Sequence, residues 1–154
     1  MVTNEEGVSD GDKTARDFTR DRAKNVRAAD WRQDGLWILV LSNGGRNFCA
    51  YIGIPVDHPL AGFDYELLPV TCNGGLTFAG EGDGEYRPEG YYWYGWDYAH
   101  SGDFNWWGDN EQPRADEKDW TLKEIKDDAW SAIYDMGKLK TLAERIYSKT
   151  KELT

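Results

Sequence analysis

Asn43-Gly44-Gly45 stands between two runs of strand-forming residues, Leu36 to Leu41 and Arg46 to Ile54. Asn-Gly accepts the positive φ of a tight turn, and apolar runs on both sides make it the strongest short-range hairpin signal. The middle of the chain is thereby committed to antiparallel β pairing. Pro55 and Pro59 follow. Neither can donate to a sheet ladder, so they end the second strand and open a loop that leaves room for one helical turn near Tyr65. Tyr91 to Tyr98 reads as a further strand. Val70 to Ala79 reads as a strand interrupted at Asn73-Gly74-Gly75, by a break or a β-bulge.

The other strong local signal lies at the far end. Thr121 and Glu124 are spaced as a capping box. Leu122, Ile125, Ala129, Ile133, Met136, Leu139, Ala143 and Ile146 then step by three or four. That spacing predicts an amphipathic helix of about 27 residues, kinked at Gly137. Its apolar stripe is expected to cover one face of the sheet. The fold class is therefore α+β: an antiparallel sheet of four to five strands covered by a long C-terminal helix.

At 154 residues the chain is long enough for one domain. Residues 29–154 are expected to form it. Residues 1–28 read as a flexible or weakly helical arm: a polar tail to residue 12, then alternating charges with the potential pairs Asp12–Arg16, Asp17–Arg20 and Asp21–Lys24. The arm holds six acids and six bases, so the body carries the whole net charge of −10. Such a body repels phosphate backbones, which argues against direct nucleic-acid binding. It suits a partner protein with a basic surface, although solubility alone also accounts for it. The longest apolar run, Leu36 to Leu41, is far short of the ~20 residues that cross a bilayer. The first residues lack a basic-then-apolar leader pattern, so a cytoplasmic location is expected. Two Cys and two His cannot build a four-ligand zinc site or a disulfide framework, and no cofactor is implied.

Ten of the 22 aromatic residues fall between Tyr86 and Trp107. Rings of this kind serve cores and binding faces alike. Trp93, Trp96, Trp106 and Trp107 could stack on a planar, nucleotide-like ligand, with Arg46, Arg87, Arg114 or Lys118 meeting any phosphate. The plainer alternative is a core ring set. Asp97, His100 and Asp103 lie at spacings of three, so a turn could bring two carboxylates to one imidazole as a general base or a metal site. A hydrogen-bonded structural histidine is the simpler reading. Cys72 beside Asn73-Gly74-Gly75 is the better of two weak nucleophile candidates, because Cys49 lies inside a strand. Gly74 and Gly75 offer backbone N–H groups that could cradle an anion.

Three strings also occur in order: Ala50-Tyr51-Ile52-Gly53-Ile54-Pro55 with His58-Pro59-Leu60 and Gly62-Phe63-Asp64-Tyr65, then Asn73-Gly74-Gly75-Leu76-Thr77-Phe78, then Tyr92-Trp93-Tyr94-Gly95-Trp96-Asp97-Tyr98-Ala99-His100-Ser101-Gly102-Asp103. Over roughly residues 35–150 the chain resembles a group of small phage and prophage proteins of unassigned function. It departs from their pattern at Asn73, where the group has His, and at Tyr98, where it has Cys. The resemblance implies a phage accessory protein and names no activity. The expected function is a non-catalytic binding module that inhibits a host defence protein or sequesters a nucleotide signal. Asn73, Gly74, Gly75, Trp93, Trp96, His100, Trp106 and Trp107 would form its recognition face. The alternatives are a small hydrolase using Asp97, His100 and Asp103, and a virion or structural protein docking through the arm.

Overall fold

The computed structural model describes residues 9–18, 21–108 and 111–152. Five strands form one antiparallel sheet: β1 (Asn25–Gln33), β2 (Leu36–Asn43), β3 (Phe48–Pro55), β4 (Phe78–Glu81) and β5 (Tyr91–Asp97), in spatial order β1-β2-β3-β5-β4. One helix, α1 (Leu122–Glu152), follows. The α+β class read from the sequence is the observed one. Asn43 N–H donates to the Asn47 carbonyl, and Gly44 and Gly45 both have positive φ, which closes the β2–β3 hairpin as the Asn-Gly signal requires.

Strand β1 was not expected. Residues 25–28, assigned to the arm, are its first half, and Asn25, Val26 and Arg27 pair with β2. Its period-2 pattern is broken by a register shift between Arg27 and Ala29. As an edge strand it buries only part of its surface, with Ala29 and Trp31 packed on the core and Arg27 and Arg32 outside. The arm's anticipated helix is replaced by short 3-10 turns at Asp10–Asp12 and Ala15–Phe18. The expected Asp12–Arg16 pair gives way to Arg16–Asp119 at 2.9 Å, and Asp17, whose expected partner was Arg20, accepts from Thr14 N–H. Residues 1–8 and Arg20 lie outside the described residues. The Val70–Ala79 segment is likewise no interrupted strand. Cys72 to Gly75 form a turn, with Gly74 and Gly75 at φ +73° and +74°, and only Phe78 onward joins the sheet.

The sheet is covered on both faces. On one, Ile38, Val40, Ala50, Ile52, Tyr94 and Trp96 pack against Leu122, Ile125, Ala129, Ile133 and Met136 of α1. The capping box forms: Thr121 N–H donates to Glu124 Oε1 and Glu124 N–H to Thr121 Oγ1. α1 runs as one helix through Gly137. On the other face Leu39, Leu41 and Trp93 are buried beneath Trp37, Tyr51, Phe78, Tyr86 and Tyr91. The loop after β4 folds over them. Trp93 Nε1–H donates to the Pro88 carbonyl, and the Arg87 guanidinium lies over both Tyr51 and Phe78. Two glycines make room for rings across the β3–β5 ladder. A Cβ on Gly53 would come within 2.7 Å of the Trp93 indole, and one on Gly95 within 2.5 Å of the Tyr51 ring.

Candidate functional site

The turn after β5 does bring Asp97, His100 and Asp103 together. His100 Nδ1 lies 3.4 Å from Asp97 Oδ1 and 3.7 Å from Asp103 Oδ2. That nitrogen is buried and aligned with no hydrogen-bond partner among the described residues. The ring rests on the Gly74 backbone, where a Cβ would approach to 2.5 Å. Gly74 is thus a seat for the imidazole. Gly75 has open space where a Cβ would stand.

Asp103 is occupied by the fold. It is 7% exposed and accepts three hydrogen bonds: from Asn73 Nδ2 at 2.8 Å, from the His100 backbone N–H at 3.0 Å and from Trp120 Nε1 at 2.8 Å. Three of its roughly four acceptor sites are therefore already used. Asn73 is equally structural. Its backbone N–H donates to Asp128 Oδ2, which also accepts from the Tyr98 hydroxyl, and that hydroxyl accepts from Trp96 Nε1. Burial, then the bond to Asp128, pushes the Tyr98 phenol far up. A buried chain of bonds so ties α1 to β5 and to the Cys72–Gly75 turn.

The thiols are not poised for chemistry. Burial, with the Asp128 and Asp135 charges adding to it, pushes Cys72 up to about 12. Burial and the Asp97 charge do the same for Cys49, also to about 12. Neither is a thiolate near neutral pH. Among the described residues no three His, Cys, Asp or Glu side chains converge so as to hold a metal ion.

The four tryptophans proposed as a stacking platform separate. Trp93 and Trp96 are fully buried, on opposite faces of β5, and neither can touch a ligand. The alternation of a central strand sends one to the α1 core and the other beneath the Arg87 loop. Trp106 and Trp107 instead reach the surface, half-buried and 64% exposed respectively. The Arg22 guanidinium lies 4.6 Å over Trp106 and that of Arg46 lies 5.0 Å over Trp107. Three segments lock there: Trp106 N–H donates to the Arg46 carbonyl, Arg46 Nη1 to the Arg22 carbonyl and Arg22 Nη2 to the Trp106 carbonyl. Arg46 Nε is buried without an acceptor among the described residues. Of the other cations considered for this role, Arg87 is part of the second core and Arg114 pairs with Glu117. Lys118 pairs with Glu124. Arg22 was missed because its indole partner lies 84 residues away.

The hollow beside these rings, between Arg46, Tyr98, Trp106 and Trp120, holds only about 10 Å³. No family description matches the chain, and no curated protein or solved structure matches it either. No helix among the described residues is long and apolar enough to cross a membrane.

Proposed function

We propose that the chain is a non-catalytic binding module, of the phage accessory kind its motifs resemble, that holds a protein partner at the Arg22–Trp106 and Arg46–Trp107 stacks. The observation that carries the reading is Trp107, 64% exposed and topped by an arginine in a chain of net charge −10. Trp and Arg are the side chains most enriched where binding energy concentrates. An indole already stacked by a guanidinium has lost much of its freedom, so little more is lost on docking. A neighbouring hollow of only about 10 Å³ favours a protein over a free nucleotide, because small-ligand sites enclose roughly 300–1,000 Å³. The acidic body draws in a generally basic surface at long range. The stacked arginines then take an acidic side chain or a carbonyl at contact.

The test is affinity capture from a bacterial lysate with three forms: wild type, Arg46→Ala/Trp107→Ala and His100→Ala. A partner should be held by wild type and by His100→Ala, and lost from the double variant while circular dichroism shows that variant still folded. Equal recovery by all three forms would sink the reading. One observation favours a second role, the 3.4 Å approach of Asp97 to His100, which could orient a general base. Hydrolysis of a substrate panel that disappears in His100→Ala alone would support that role instead.

A further inference from the structure

The last residue of α1 buried in the core is Met136. Sixteen described residues of the helix follow, roughly 24 Å at 1.5 Å per residue. Their apolar stripe does not stop. Leu142 is 50% exposed and Ile146 is 56% exposed, and Tyr147 is also exposed. The loop between β3 and β4 stands beside them. Phe63, Leu67 and Leu68 on the loop, with Leu139, Leu142 and Ile146 on the helix, line an apolar groove of about 180 Å³. Leu67 is 65% exposed on its lip.

Charge says what fits. Residues 137–152 carry five bases (Lys138, Lys140, Arg145, Lys149 and Lys151) against Glu144 and Glu152, in a chain where acids otherwise exceed bases. At about 100° per residue, Lys138, Arg145 and Lys149 run along one edge of the Leu142–Ile146 stripe. Lys140 lies on the opposite edge. A second copy laid antiparallel on the same segment would bring the two basic edges together, which is unfavourable. An anionic membrane would meet Asp64 and Glu66, which flank Phe63 and Leu67 on the loop wall, and an acidic body behind them. A two-walled groove also suits a helix laid into it better than a flat bilayer.

We propose that this groove receives an amphipathic helix of a partner protein, apolar on one stripe and edged with Asp or Glu where it meets Lys138, Arg145 and Lys149. This surface is separate from the Trp107 face and does not depend on it.

The probes are two fluorescein-labelled helical peptides of about 18 residues with one Leu/Ile stripe, edged with Glu in one and with Lys in the other. The readout is fluorescence anisotropy on the whole chain. The Glu-edged peptide should bind saturably and roughly tenfold more tightly than the Lys-edged one, and should weaken in about 0.5 M NaCl. Leu142→Asp/Ile146→Asp should abolish binding. Both positions are exposed, so the helix should survive, which circular dichroism checks. Lys138→Glu/Arg145→Glu should remove the preference while keeping the stripe. Equal affinity for both peptides, or binding unaffected by the Asp variant, overturns the proposal. So does flotation with phosphatidylglycerol vesicles, or a dimer in light scattering that the Asp variant dissolves.

Discussion

Asp103→Asn separates a carboxylate that holds the fold from one that performs chemistry. The native side chain accepts two bonds on Oδ2 and one on Oδ1. An amide has a single oxygen. It does best by keeping the Asn73 and His100 donors, which places its NH2 against the Trp120 indole N–H. Losing a hydrogen bond to a charged acceptor costs about 1.5–3 kcal/mol, and a buried donor left unpaired costs about 1–3 kcal/mol more. Relief from burying a charge offsets part of this. The net expectation is about 3 kcal/mol, which for a domain of this size lowers Tm by roughly 6–12 °C. Differential scanning fluorimetry measures it. Trp120→Phe removes the same donor, so adding Asp103→Asn to it should cost clearly less than in the wild-type background. A Tm within about 2 °C of wild type for Asp103→Asn would refute the reasoning, since a catalytic carboxylate can be neutralised with little loss of stability.

Gly53→Ala should destabilise by about 1–3 kcal/mol in urea unfolding, because its methyl would meet the buried Trp93 indole. Gly137→Ala should stabilise by up to about 1 kcal/mol in the same assay, because that helical site is open. Cys49 and Cys72 should react slowly with a disulfide reagent at mildly alkaline pH and quickly once the chain is unfolded, since burial raises both thiols to about 12. Burial, then Lys140, lowers His58, and its Nδ1 accepts from Leu60 N–H, a bond that only the neutral ring can take there. A folded-state value below 6.5 means that protonation favours the unfolded chain. Stability should therefore be full above pH 6.5 and fall as pH drops below it. The fall should be shallower in His58→Gln.

The hairpin and the long helix were legible because their signals are local: Asn43-Gly44, the Thr121/Glu124 box and an uninterrupted apolar step. Strand β1 was not, because an edge strand buries few residues and its bulge after Arg27 destroys the alternation. The aromatic run reads alike whether its rings point into a core or out of it. What decides is the cover on the second face, and that cover is a loop whose plug is Arg87, a residue that composition assigns to solvent. The Asp97–His100–Asp103 spacing allows proximity without requiring it. It cannot reveal that Asp103 is already satisfied by Trp120 and Asn73, which are 17 and 30 residues distant. The surviving surface rings, Trp106 and Trp107, look no different in sequence from the buried ones. Only the arginines brought over them by the β2–β3 turn and the segment before β1 distinguish them.

The most direct measurement is site-specific photocrosslinking. A benzophenone side chain is placed at exposed position 111, whose native Glu accepts from Trp107 N–H, and at exposed position 127 as a control, in the chain expressed in bacteria. A discrete covalent adduct from position 111, absent at 127 and lost when Arg46 is replaced by Ala, is the predicted result. Adducts that form equally at both positions, or none at 111 while the protein is folded, would contradict a binding face at Trp107.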